Sequence, residues 1–250
     1  LLASSYDEKV RGRIRDDIDG RTLGARIRKL ARTSMNDLTV KFACEAVKAG
    51  IPASIIAFDS WFAVPRTISR LMKEAELTVI ARLKTNSKQH YEYNGKMINI
   101  KALYTMSNKR RGKAAWKLSV NVNLLVKEKN KIIERIPVKL VYLPNRANTK
   151  EWICILSTDT EMEENEIIRQ YGKRWNIECM FKCSKQYLRF GKDFQSPSFE
   201  TQNAQVAIAF TRYMMIAIEQ RESEDYRSCG ELFMLFYTEL QDITFIQSLS

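Results

Sequence analysis

Histidine is all but missing: the 250 residues hold one, His90. Proton transfer through imidazole and metal centres built on several histidines have almost nothing to work with. Cysteine is sparse and odd in number, with Cys44, Cys154, Cys179, Cys183 and Cys229 and no Cys-x-x-Cys pair. The usual zinc-site spacings are therefore excluded. Cys179 and Cys183 stand four apart and can be read as ligands. The better reading makes them small buried apolar residues, and the whole set fits a reducing cytoplasm. Long hydrophobic runs are absent as well. The nearest, Val206 to Ile218, carries Arg212 in its middle, so no segment reaches the roughly 18 apolar residues of a membrane span. The amino end lacks the pattern of a signal peptide. Nine glycines and five prolines leave no stretch that reads as a flexible linker, and no internal repeat is visible.

What the chain has in excess is positive charge, a net +12. Such a balance implies an anionic partner, of which nucleic acid is the usual one, against the plainer reading of a basic protein that is merely soluble. Residues 9 to 33 are dense in cations, among them Lys9, Arg11, Arg13, Arg21, Arg26 and Arg32, interrupted by Asp16, Asp17 and Asp19. A solvated loop and helix fits them as well as a DNA-contacting arm. Arg15-Asp-Asp-Ile-Asp-Gly20 reads as a turn, the wrong setting for a catalytic acid. Leu1 to Ser5 reads as the tail of a strand that begins elsewhere.

With 45% apolar residues, the length suffices for one elaborated domain or two small ones. Ser34 caps a helix, with Asp37 three residues on, and Gly50 closes it. Ala53 to Phe58 is a short apolar run of the kind buried in parallel sheets. Asp59 follows directly. Pro65 opens a helix to about Ala75, and Leu77 to Leu83 gives another strand. A strand-end Asp in an open α/β sheet is either a helix N-cap or a site residue. From Tyr91 to about Thr158 the period shortens to two, with strand-like runs at Tyr91–Tyr93, Met97–Ile100, Lys117–Val126, Ile136–Leu143 and Trp152–Leu156. Asn94-Gly95 is a hairpin turn. Lys109 to Lys113 forms a basic loop with Trp116 after it, read as a DNA contact in preference to a merely solvated hairpin tip. Ala204 to Glu219 and Gly230 to Leu240 read as further helices.

The most informative stretch is Tyr171 to Lys185. Apolar residues recur at three- and four-residue steps, as in a buried helix. At about 100° per residue, Tyr171, Arg174, Glu178 and Lys185 fall within one strip roughly 60° wide. A functional strip and a structural ion-paired one fit that pattern equally. The spacing Tyr171-x2-Arg174-x3-Glu178-x6-Lys185 resembles the signature of bacterial insertion-sequence DDE transposases of the insertion-sequence-four family, whose better known members cut DNA through a hairpin. Asp59-Ser-Trp-Phe62 followed by Pro65 is similar to the segment around that family's second acid.

The resemblance implies an α/β, RNase H-like core interrupted by a mostly antiparallel β insertion. Its parts would be residues 1–86, a first core part; 87–158, the insertion; and 159–250, the second core part with the helix of the catalytic Glu. It implies catalytic, metal-binding roles for Asp59 and Glu178, with Mg2+ (Mn2+ as substitute) as cofactor. Tyr171, Arg174 and Lys185 would handle the DNA backbone. Trp152 would stack on a flipped base, although plain strand packing fits it equally. The implied partner is double-stranded DNA, both transposon ends and target, bound by a homodimer in a bacterial cytoplasm at the nucleoid. The resemblance implies a first acid on a strand upstream of Asp59, a strand expected to lie outside this chain. The chain by itself is therefore expected to bind DNA without cutting it. The other reading is a non-catalytic DNA-binding remnant of a transposase.

Overall fold

A computed structural model of the chain describes residues 19–112, 114–145, 148, 151–191, 199–222, 227–236 and 238. Among these, seven strands and seven helices are delimited. The helices are α1 (Leu23–Ala31), α2 (Met35–Lys48), α3 (Pro65–Glu74), α4 (Ile100–Met106), α5 (Glu164–Gly172), α6 (Trp175–Gln186) and α7 (Phe199–Glu222). The strands are β1 (Ile55–Phe58), β2 (Thr78–Leu83), β3 (Tyr91–Tyr93), β4 (Lys96–Ile98), β5 (Leu118–Glu128), β6 (Lys131–Pro144) and β7 (Trp152–Ser157). They fall into two compact units, Thr33–Arg174 and a second made of Leu1–Arg32 with Trp175–Ser250. The expected strand tail Leu1–Ser5, the cations before Asp19, Lys113 and the last residues of the Gly230–Leu240 helix lie outside the described residues.

The unit Thr33–Arg174 is mixed α/β and built on one sheet in the order β1-β2-β7-β6-β5-β3-β4. β1 and β2 run parallel, and every other pairing is antiparallel. Side chains alternate across the sheet, as the pleat requires. Val79, Ala81, Leu83, Leu140, Tyr142, Cys154 and Leu156 face one side, where Val40 of α2, Leu71 of α3 and Leu103 of α4 close over them. Ile80, Val141, Leu143 and Ile155 face the other, under Ile167 of α5. The register aligns Phe58 with Ala81, Leu83 with Cys154, Cys154 with Tyr142 and Tyr142 with Leu118. The carboxyl ends of β1, β2 and β6 and the amino ends of β5 and β7 therefore lie together at one end of the sheet.

Local sequence explains most of these elements. The Ser34 hydroxyl accepts the Asp37 N–H at 3.2 Å and starts α2. Pro65 opens α3, where its missing N–H is no loss. Asn94 and Gly95 turn the β3–β4 hairpin with φ of 48° and 73°, the left-handed pair that such a turn demands. One expectation fails here. The pattern predicts strand over Met97–Ile100, but β4 stops at Ile98. Asn99 accepts the Ala102 N–H at 2.8 Å and starts α4, which buries Ile100 and Leu103 one turn apart.

A second correction concerns the stretch Tyr171–Lys185, which is not one helix. α5 ends at Gly172, and the chain tightens through i→i+3 bonds from Lys173 N–H to the Gln170 carbonyl (3.2 Å) and from Arg174 N–H to the Tyr171 carbonyl (3.0 Å). The break falls where a glycine weakens the helix. A wheel drawn through it cannot place Tyr171 and Arg174 on the strip of Glu178 and Lys185.

In the second unit, α6 is covered only in its later half. Cys183, Ser184 and, just beyond its end, Leu188 are buried, whereas Trp175 is 65% and Ile177 43% exposed. The expectation of a buried helix fails for that first half. Leu188, Ile216 and Leu232 form the unit's core with Tyr213, Phe233 and Phe236. Phe181 meets Phe210 edge-on at 5.7 Å. Cys183 is disulfide-bonded to Cys229, and Cys179 is exposed. The reading of Cys179 and Cys183 as small buried residues holds for Cys183, which is buried, and fails for Cys179. Among the described residues, no helix is long and apolar enough to cross a membrane.

Candidate active site and nucleic-acid surface

The run Ile55–Phe58 spends its side chains on the sheet and ends at once in Asp59, which is exposed at the strand's carboxyl end. Its Oδ1 accepts the Trp61 N–H at 3.0 Å, and its carbonyl accepts the Phe62 N–H at 3.3 Å. This is an Asx turn, in which the short side chain mimics a backbone turn. Asp59 does not cap the next helix, because Val64 occupies the N-cap of α3.

Arg82 stands one strand over. It follows Ala81, the partner of Phe58, and is the exposed residue of β2, whose others are buried or, at Thr78, half-buried. Tyr171, in the last turn of α5, is half-buried against the Ile80–Ile155 cluster. Burial pushes its phenol up from the ordinary value. The charges of Arg174 and Arg82 and a hydrogen bond from Arg174 pull it down, and Asp59 adds to the rise. The Arg174 guanidinium lies 6.0 Å from the Tyr171 ring centre. Arg82, Arg174 and Asp59 thus all act on the Tyr171 phenol, two cations and one carboxylate around it.

The same end of the sheet carries more cation–aromatic pairs. Lys84, just past β2, holds its Nζ 4.8 Å from the ring centre of Trp61, a residue that is 66% exposed. Lys109 lies 4.9 Å over Tyr104, and Arg110 4.2 Å over Trp116. Trp152, the first residue of β7, stacks on Tyr104 at 4.9 Å and meets Tyr142 edge-on at 5.1 Å. It is half-buried against the core. Exposed cation–ring contacts contribute about 0.5–1 kcal/mol each, too little to explain them as devices of stability. Such pairs at one edge suit stacked bases and phosphates.

Of the residues singled out by sequence, this unit brings together Asp59, Tyr171 and Arg174, with Trp152 at the same sheet end. Glu178 and Lys185 belong to α6 in the other unit, seven residues or about two turns apart, hence on one side of that helix. Among the described residues, no three His, Cys, Asp or Glu side chains gather into a metal-binding group. Asp59 alone does fit a hard divalent ion: an exposed carboxylate at an open strand end supplies oxygen while leaving room for the waters such an ion keeps. Sequence reasoning missed Arg82 and Lys84. A charge inside the run Thr78–Leu83 was the available signal, because a buried strand tolerates a cation only where it reaches solvent or a partner.

A family model described as Transposase DDE domain matches residues 24–215 of the chain. A comparison with curated proteins gives no match.

Proposed function

The chain belongs to the transposase DDE-domain family, and from that premise we propose that it acts on DNA in the transposition of an insertion sequence, by a two-metal DDE mechanism. The observation that carries this reading is Asp59 at the open carboxyl end of β1, which acts together with Arg82 and Arg174 on the Tyr171 phenol. Asp59 and Glu178 would be the carboxylates that hold magnesium, or manganese in its place. When bound, the ions supply charge stabilisation to the attacking and leaving oxygens of phosphoryl transfer. Arg174 and Arg82 would hold phosphate oxygens through guanidinium hydrogen bonds, and Tyr171 would orient one by its phenol. Lys185 would add a point charge beside Glu178. We keep Trp152 as a DNA contact through the rim of its ring, since one face already stacks on Tyr104.

The architecture we favour is RNase H-like. Support comes from the parallel pair β1–β2, with every later strand antiparallel. That change of direction supports an insertion over 87–158 between core parts 1–86 and 159–250. β1 has β2 alone beside it among the described strands, which supports a further strand at that edge bearing the first acid. A homodimer on transposon ends, in a bacterial cytoplasm, completes the reading. A DNA-binding remnant without cleavage is the other reading, which the family match does not favour.

The test is DNA binding and cleavage in magnesium or manganese. Manganese should strengthen binding of duplex ends, and Asp59→Asn and Glu178→Gln should each remove that gain, with no further loss in the double variant. Independent, additive losses would mean that the two acids do not share a site. Cleavage that vanishes in Asp59→Asn would dismiss the remnant reading.

A further inference from the structure

The feature that the proposed function does not use is the disulfide Cys183–Cys229. Under that function, on which this inference rests, the chain works in a bacterial cytoplasm. Thiols there are kept reduced, and the disulfides that do form are mostly transient, catalytic or redox-sensing. Three observations give this one a purpose. It sits on the helix of Glu178 and Lys185, with Cys183 between them in α6. It also holds a joint that packing closes poorly. The Ser228 N–H donates to the Glu231 carboxylate at 2.6 Å and the Glu231 N–H to the Ser228 hydroxyl at 3.3 Å, a capping box that starts a helix over 229–236. Where that helix begins, Gly230 lies so near the Tyr187 ring that a Cβ would overlap it. Further along, a cleft of about 550 Å³ remains, lined by Met215 and Ile216 of α7 and by Phe233 and Phe236. The core cluster here has three buried side chains, Leu188, Ile216 and Leu232, and so small a core gains most from a staple. Lastly, the bond is reachable. Cys183 is buried but Cys229 is only half-buried, and exposed disulfides are the labile, regulatory ones.

We propose that Cys183–Cys229 is a redox staple that sets the order of α6. Oxidised, it pins the later half of α6 to the 229–236 helix and keeps Glu178 and Lys185 in fixed places. Reduced, the joint opens and both side chains lose them. The first half of α6 offers no second anchor of equal strength, since Trp175 and Ile177 are exposed. The reductant is a dithiol. One of its thiolates attacks the Cys229 sulfur, and Cys183 leaves as a thiolate and takes up a proton. The second thiolate of the reductant then attacks the mixed disulfide and releases Cys229, so two electrons and two protons pass to the cysteine pair and the dithiol becomes a disulfide. A side chain that shares a metal must be held to within about 0.5 Å. Metal-dependent DNA binding therefore follows the oxidation state of this pair, high when oxidised and low when reduced.

The experiment compares the full chain oxidised and after dithiothreitol, with one sequence in both arms, and circular dichroism to confirm that each is folded. Hydrogen exchange read by mass spectrometry should speed up on reduction by roughly tenfold or more in peptides covering 175–186 and 229–236, as loss of a cross-link between residues 46 apart allows. Peptides of β5 and β6 should not change. Cys229→Ser should exchange like the reduced chain whatever the oxidant, and Cys179→Ser should keep the full response. The gain in duplex DNA binding on adding manganese should be present in the oxidised chain and fall roughly tenfold on reduction, about 1.4 kcal/mol, with no such response in Cys229→Ser. Exchange that ignores reduction, a response lost in Cys179→Ser, or an oxidised chain without the 183–229 linked peptide would overturn the staple. Exchange that responds while the manganese gain does not would overturn its control of the site. Neither result touches the DNA reading, which salt-dependent binding in both states supports. A chain that binds no DNA in either state would overturn that reading, and the exchange measurement would still decide the staple.

Discussion

At the scale of single residues, the fate of Asp59 separates structure from chemistry. Its Oδ1 closes the turn on the Trp61 N–H, and the amide oxygen of asparagine can accept the same bond. Asp59→Asn is therefore expected to melt within about a degree or two of the unaltered chain, while any metal-dependent gain in DNA binding is lost. Asp59→Ala removes the acceptor and should cost an additional 0.5–1.5 kcal/mol, approximately. Parallel thermal melts and manganese titrations check both expectations, and an asparagine variant as unstable as the alanine one would show that charge, not the turn, holds this corner. The place of Asp59 was legible because a four-residue apolar strand stops abruptly at a carboxylate and a proline soon starts the next helix. Its neighbours were not legible in the same way. Arg82 and Lys84 are far from Asp59 in sequence, and only the parallel register of β1 on β2 brings them alongside.

At the scale of elements, the hydrophobic face that joins β3, β6 and β7 is closed over three ionisable groups. Burial pushes the phenols of Tyr91 and Tyr142 and the thiol of Cys154 well above their ordinary values of 10.0 and 9.0. Their folded pKa values are raised, so the stability they contribute is fully present below the unfolded values and is lost as pH climbs past them. Each group then removes about 1.4 kcal/mol per pH unit. The fold of this unit should accordingly be insensitive to pH between 7 and 8.5 and weaken steeply above 10. Tyr142→Phe gives a crossed result. It forfeits the bond from the Tyr142 hydroxyl to the Ile100 carbonyl, 2.9 Å, worth roughly 1 kcal/mol at neutral pH, yet its stability should fall less steeply above pH 10. Chemical denaturation at pH 7.5 and 10.5 reads both; identical slopes in the two proteins would show that the phenol titrates without hindrance. The strands themselves were legible from alternation and from Asn94-Gly95. α4 was not, because Met97, Ile98 and Ile100 are too short a pattern to distinguish strand from helix, and Asn99 announces its helix only through a cap. The break at Gly172 was missed for a related reason: a lone glycine is tolerated in most helices, and nothing in its immediate neighbours marks this one as terminal.

At the scale of the whole molecule, the net charge of +12 has two possible uses. Spread evenly, it would keep the chain soluble and attract DNA without preference. Gathered at the site, it would fix where DNA lies. The sheet of the unit Thr33–Arg174 offers a comparison between its two ends. Arg82, Lys84 and Arg110 are exposed at the end where Asp59 stands, and Lys127, Lys129 and Lys131 are exposed around the β5–β6 turn at the opposite end. Changing either trio to glutamine removes the same three charges, so net charge and long-range attraction fall equally. A phosphate contact has a different signature from long-range attraction, since each one formed releases condensed counterions and steepens the dependence of log K on log salt by about 0.9. Loss of Arg82, Lys84 and Arg110 should therefore flatten the salt slope for blunt duplex DNA by roughly two to three units. Loss of the opposite trio should leave the slope within about half a unit while lowering affinity only slightly. Titrations over a series of potassium chloride concentrations, with circular dichroism to confirm that both variants are folded, decide the matter. Equal flattening by the two trios would mean that DNA spans the sheet from end to end, and the carboxyl ends of β1 and β2 would then lose their claim to be the place where the reacting phosphate is held.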